Sequence, residues 1–337
     1  MRRVGPAIAL FFLSPLVAEF LLGDFGLSAL VLLFALAPMY GGGAVLIREI
    51  VRRTGRGWPS IVLLALAYAL LEEGFVTMSL FNPDYLDAHL LDQGFVPALG
   101  IAIPWTVYVL ALHTVWSISV PVALIEEWTD RRTTPWLRTP GLIVVAAVFA
   151  AGVVLDFVFS YGNGHYLAPW PQLLVTGIAV VLLVVAAFRL PRRSAPVPAT
   201  PRRAPAPSVV LVATLAIGAL FMAAQTRAVG VRTGIALLVG ALVLAAVAIG
   251  VWSRSGGWGA WHRYAAAAGG LLTYAWHSFF THELIGGGRV MEPVSHVVFA
   301  LAAVALLAFE ARRIRRRSAA PVVIPATGQP HGAVAAS

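Results

Sequence analysis

Ten times along this chain an apolar stretch runs for about 18 to 22 residues, the length an α-helix needs to cross ~30 Å of hydrocarbon. The stretches lie near Pro6 to Leu22, Leu27 to Ile47, Pro59 to Leu80, Pro104 to Ile125, Gly141 to Phe159, Pro171 to Phe188, Ser208 to Gln225, Gly234 to Trp252, Trp261 to Phe280 and Pro293 to Phe309. Within a bilayer each backbone N–H and C=O must be satisfied inside the segment, so these windows predict helices. The expected fold class is all-α, a polytopic transmembrane bundle of about ten spans. Composition agrees: 59% of residues are hydrophobic and 12% charged, and the mean hydropathy is +0.84. A water-soluble domain could not carry such a surface.

The connecting segments set the orientation. Arg is dense after the second span (Arg48, Arg52, Arg53, Arg56), the fourth (Arg131, Arg132, Arg138), the sixth (Arg189, Arg192, Arg193, Arg202, Arg203) and the tenth (Arg312, Arg313, Arg315, Arg316, Arg317). With Arg2 and Arg3 these clusters fall on one side, which by the positive-inside rule is the cytoplasm and holds both termini. Met1-Arg2-Arg3 and the apolar run after it imitate a signal peptide, but Val17-Ala18-Glu19 is a poor cleavage site, so the run is read as the first span. All 24 basic residues are Arg, and Ala, Gly, Val and Pro abound, a bias of GC-rich bacterial genomes that points to a bacterial plasma membrane. The absence of cysteine excludes disulfides, thiolate nucleophiles and Cys-ligated metals.

The Pro- and Arg-rich stretch 190–207 reads as a semi-extended cytoplasmic linker. It divides the chain into a six-span region, 1–189, and a four-span region, 208–310, followed by a basic and then disordered tail, 311–337. The expected partners are membrane lipids, with anionic headgroups at the Arg clusters. The net charge of +9 needs no nucleic-acid partner. Arg48 and Glu49 read as a headgroup-level pair, and Gly41 to Gly43 as a site of close helix packing. Of the outer loops, Phe81 to Ile103 is long enough to cap the outer face, and its Asp84, Asp87, His89 and Asp92 read as solvated loop charge.

Two adjacent carboxylates, Glu72 and Glu73, interrupt the third apolar run, ~20 Å in from its cytoplasmic start. A charged group at that depth costs at least ~2.5 kcal/mol, which makes the pair a candidate functional site. His113 in the fourth span reaches a similar depth. Adjacent helical residues point about 100° apart, so the two carboxylates are expected to face different neighbours, Glu72 with Tyr68 and Ser79, Glu73 with Thr77. Asp156 lies near the outer end of the fifth span. On the ninth, Thr273, His277 and Thr281 recur every four residues as a polar stripe. These residues, with Tyr68, are candidates for a substrate or proton pathway, while Glu72, Glu73 and His113 are candidates for acid–base chemistry. No cofactor or metal is implied.

A span carrying Glu-Glu, followed about forty residues later by a span carrying His, resembles the CPBP family of intramembrane proteases. Glu72-Glu73-Gly74-Phe75-Val76-Thr77 matches the carboxylates of that family's first motif, with Thr77 where the family has Arg. Val109 to His113 meets the His of the second. The third, a His followed by Asn or Asp, is missing. The resemblance implies a Glu that activates water and a His that assists at a scissile carbonyl. Three functions therefore stand: an intramembrane hydrolase acting on a lipid or peptide, a transporter coupling protons to a small solute or lipid, and a structural subunit. The halves share no repeat of the kind common in transporters.

Overall fold

In the computed structural model, residues 4–192, 200–225, 229–286, 288 and 290–319 are described. They form ten helical segments in an all-α bundle: α1 (Gly5–Leu21), α2 (Leu27–Arg53), α3 (Trp58–Val76), α4 (Ile103–Glu127), α5 (Thr139–Gly164), α6 (Trp170–Arg189), α7 (Pro207–Ala223), α8 (Val231–Trp252), α9 (Ala260–His277) and α10 (Met291–Ala319). Seven of these are long and apolar enough to cross a membrane, namely α2 to α6, α8 and α10; α1 and α7 are shorter apolar helices. Proline starts many of them. It occupies the first or second position of α1, α3, α4, α5, α6 and α7, where its missing N–H has no helical acceptor to serve.

Proline inside a helix has the opposite effect, because it leaves the carbonyl four residues back without its donor. Pro121 frees the Ser117 carbonyl, and the Ser14 hydroxyl fills the gap at 2.6 Å, tying α1 to α4. Pro15 frees the Phe11 carbonyl, and Gly41 of α2 lies against it so closely that a Cβ there would overlap the oxygen. Gly43 faces the Tyr68 ring in the same way, and Gly152 of α5 rests on the backbone of Pro38 and Met39. Close packing is therefore what the small residues of α2 provide. Replacing Gly41 by alanine is expected to separate α1 from α2 and destabilise the fold by about 1 to 3 kcal/mol, measurable as a lowered thermal midpoint of the protein in detergent.

Two large apolar clusters fill the bundle, beside a smaller one around Met78, Leu80, Phe81, Val109 and Ala168. One, from α1 to α6, includes Leu10, Met39, Val51, Ile61, Ala65, Ile118 and Ile125. The other joins α1 and α4 to α7, α8, α9 and α10 through Phe20, Trp116, Leu124, Phe221, Leu238, Tyr274 and Phe299. Trp116 stacks on Tyr274 at 4.8 Å between ring centroids, and its indole N–H donates to the Gly270 carbonyl at 2.7 Å. By contrast, Gly152 is the buried residue of α5, whose other side chains face outward at least in part, as a lipid-facing helix requires.

The basic ends gather on one face, and there the structure corrects an expectation. Arg48 and Glu49 are fully buried instead of lying at headgroup level. The end of α4 and the loop 131–137 fold over them. Arg48 donates to Glu126 (3.1 Å), to Glu49 (2.5 Å) and to the carbonyls of Arg131 (3.1 Å) and Arg132 (3.0 Å), with its guanidinium 3.5 Å from the Trp136 ring centroid. Glu49 in turn accepts from the backbone N–H groups of Trp136 and Leu137. In the basic run of α10, the half-buried Arg313 donates to the Trp128 carbonyl and Arg317 to the Glu127 carbonyl, while Arg312, Arg315, Arg316 and Arg317 are exposed. Within the linker, β3 (Thr200–Arg203) pairs in parallel with β4 (Ser255–Gly256); β1 (Phe95–Val96) and β2 (Ile101–Ala102) form an antiparallel pair in the outer loop. Arg2, Arg3, Arg193 and the tail from residue 320 lie outside the described residues.

Candidate functional site

Glu72, Glu73 and His113 meet. His113 Nε2 lies 2.7 Å from Glu73 Oε1, and Nδ1 lies 3.1 Å from Glu72 Oε2, so one imidazole is bracketed by both carboxylates. All three side chains are buried, Glu72 at 1% exposure, Glu73 at 5% and His113 at 7%. Glu73 meets Thr77 and Glu72 meets Tyr68 as their spacing predicts, but both also reach the one imidazole, because the helix is not regular there. The last turn of α3, Glu72–Val76, is a π turn, and the stretch of α4 that holds His113, Leu112–Ser119, is also π. A π turn is wider than an α turn and swings neighbouring side chains closer in direction, which is why such turns recur at functional sites. A third π segment, Leu16–Leu21 in α1, follows Pro15 and carries Glu19.

The two carboxylates have different surroundings. Glu73 is held on both oxygens. His113 takes Oε1, while Oε2 accepts from the Thr77 hydroxyl at 3.1 Å and from the Ser79 hydroxyl. Ser79 thus serves Glu73 and not Glu72, since the chain leaves the helix after Val76 and Met78 takes a positive φ of 54°, turning Ser79 back. Glu72 Oε2 is buried and receives no aligned hydrogen bond among the described residues, and the buried Tyr68 hydroxyl lies against the Glu72 carboxyl group. The Tyr40 side chain reaches both Glu72 and Glu19, and Glu19 and Asp24 lie within electrostatic range of His113. Tyr40 and Tyr68 wall the imidazole at centroid distances of 5.9 and 6.4 Å. Ser117 Oγ lies 3.1 Å from Nδ1.

Outside the spans, Tyr85 of the loop after α3 feels the same group of charges. Burial, and then Glu73, Glu19, Glu72 and Asp24, push its phenol above the usual range, so this part of the loop roofs the site. Asp84, Asp87, His89 and Asp92 are in the same loop; His89 stands 3.6 Å from Asp87 and 3.9 Å from Asp92 with all three side chains largely exposed, as solvated charge.

The remaining sequence candidates stand around this centre. Asp156 of α5 is within electrostatic range of Tyr68 and has a buried oxygen without a hydrogen-bond partner among the described residues. His277 lines a cavity of about 280 Å³ with Trp105, Tyr108, Met222 and Gln225. That cavity is one side chain from the centre, because Trp105 donates to Ser79 Oγ at 3.2 Å. Thr273 is fully buried, donates to the Gly269 carbonyl at 2.9 Å and packs against Gly218. Thr281 donates to the Leu22 and Ser278 carbonyls, tying the end of α9 to that of α1. The stripe on α9 therefore does not act as one surface. Glu19, Asp24 and Tyr40 are members of the site that the sequence reading passed over; the signal for Glu19 was an ionisable residue inside an apolar run.

No curated protein and no solved structure matches this chain. No match to the CPBP family is found either. The model described as an uncharacterized membrane protein family matches residues 8–317, nearly the whole of the sequence, and the chain belongs to that family of membrane proteins.

Proposed function

We propose that this chain is a membrane-embedded hydrolase of the bacterial plasma membrane, acting on an ester or amide carbonyl of a lipid or a membrane peptide. The observation that carries the reading is the bracketing of His113 by Glu72 and Glu73 at the widened turns of two helices. The two glutamates have separate roles. Glu73, saturated by Thr77, Ser79 and His113, is a positioning residue that fixes the imidazole. Glu72, with a buried oxygen that receives no aligned hydrogen bond among the described residues, is the group that holds and deprotonates water, and His113 stands beside it to assist at the carbonyl. The cavity behind Trp105 is where a substrate chain approaches from the outer half of the membrane.

The test compares membranes expressing wild type, Glu72→Gln and Glu73→Gln at matched protein levels, with lipid and peptide species followed by mass spectrometry. A species should accumulate in both variants, and its hydrolysis by purified wild type in nanodiscs should exceed that of Glu72→Gln by about 10² to 10⁴-fold, the usual contribution of a general base. Identical profiles in all three would remove the hydrolase reading. A proton-linked transporter is the second reading, favoured by the way Glu19 and Asp24 extend the carboxylates from His113 toward the outer loops. Proton flux in liposomes that disappears in Glu72→Gln, without hydrolysis in wild type, would establish it instead.

A further inference from the structure

We infer that Glu72 and His113 Nδ1 are the inner ligands of a divalent metal ion of the zinc type, with Glu73 as the carboxylate that orients the histidine. The inference rests on the hydrolytic reading of the same site and names its cofactor. Three observations carry it. Glu72, Glu73 and His113 present ligand atoms that all lie within 4.8 Å of one another. The Nδ1 to Oε2 separation of 3.1 Å is the edge of a coordination polyhedron: two ligands bound at about 2.0 to 2.1 Å to one ion stand roughly 2.9 to 3.4 Å apart. On the opposite side of the ring, Nε2 meets Glu73 at 2.7 Å, which is the arrangement by which a metal-binding histidine donates its second N–H to a carboxylate.

Hydrogen bonding points the same way. Glu72 Oε2 receives no aligned hydrogen bond among the described residues, and with the ring proton on Nε2 the Nδ1 lone pair, which also lies 3.1 Å from Ser117 Oγ, would be free to take a cation beside that oxygen. The groups acting on Glu72 are His113, Glu73, Tyr40 and Glu19, so three carboxylates share one imidazole. A bound divalent ion would favour the charged form of carboxylates that burial otherwise disfavours. Tyr68, whose buried hydroxyl lies against the Glu72 carboxyl group, is placed to hydrogen-bond a water on the ion. A donor set of imidazole and carboxylate suits zinc, with manganese next. Such an ion would lower the pKa of its bound water and so supply the nucleophile.

The experiment is zinc binding by the full chain in detergent, stripped with chelator and titrated with Zn²⁺ by calorimetry, with bound metal counted by mass spectrometry. The expected result is one zinc per chain. Affinity should fall at least about 100-fold in Glu72→Gln and His113→Ala and about 10 to 100-fold in Glu73→Gln. Glu292→Gln, which alters the outer pair with His282, should bind as wild type does. X-ray absorption of the zinc-loaded wild type, which needs no variant to fold, should give a nitrogen and oxygen shell at about 2.0 Å with imidazole scattering. Wild type without zinc, or zinc retained equally by His113→Ala, would overturn the inference, as would hydrolysis that survives complete metal removal. Zinc bound as expected in a protein without hydrolytic activity would instead sink the hydrolase reading and leave the metal site standing.

Discussion

Replacing Arg48 by alanine is expected to remove most folded protein from the membrane, at a cost of about 3 to 5 kcal/mol, the range seen when one member of a buried ion pair is deleted. The size follows from burial. Arg48 is fully enclosed and makes hydrogen bonds to Glu126, Glu49 and the carbonyls of Arg131 and Arg132, while its face rests on Trp136. Without it, Glu49 keeps its backbone donors from Trp136 and Leu137 but loses its counter-charge, and Glu126 depends on Arg52 alone. Lysine is not a substitute, since an ammonium has three donors in place of five and no planar face. Arg48→Lys should therefore still lose about 1.5 to 3 kcal/mol. Thermal unfolding of the purified variants in detergent measures both, with Arg315→Ala, exposed on α10, as the unaffected control. If Arg48→Ala unfolds within about 0.5 kcal/mol of wild type, the loop 131–137 is not held by this guanidinium.

Arg48 also marks the limit of what could be read without a structure. The helices were legible because a bilayer fixes the length of an apolar span, and seven of the ten expected are long and apolar enough to cross. An Arg at the end of a span looks the same whether it reaches headgroups or is covered by a loop. Here the cover comes from residues about 85 positions away, which no local pattern reports. The candidate site was legible in type and not in arrangement. Buried charge at Glu72 and Glu73 was expensive enough to single out, and His113 could be matched to them by depth. Their convergence depended on two π turns, and periodicity arguments assume 100° per residue throughout. Glu19 escaped for a related reason. Near the end of its apolar run it resembles an interfacial residue, until the π turn after Pro15 carries it toward Tyr40.

His113→Ala is the second large effect, and its pattern separates folding from chemistry. Removing the imidazole leaves Glu72 and Glu73 buried side by side without the group between them, so a loss of about 3 to 5 kcal/mol is expected. The loss belongs to the carboxylates left behind more than to the histidine. Neutralising them should therefore restore much of it: the triple variant His113→Ala, Glu72→Gln, Glu73→Gln should be more stable than His113→Ala by about 2 kcal/mol, a coupling of the size found within one buried network. Thermal midpoints of the four proteins, including the double Gln variant, give the coupling directly. Activity should behave in the opposite way, absent from the single and the triple variant alike, because a refilled cavity cannot polarise water. A triple variant no more stable than His113→Ala would mean that His113 acts mainly by packing between Tyr40 and Tyr68. The carboxylates would then tolerate one another unaided, and an imidazole held between them for charge would lose its physical reason.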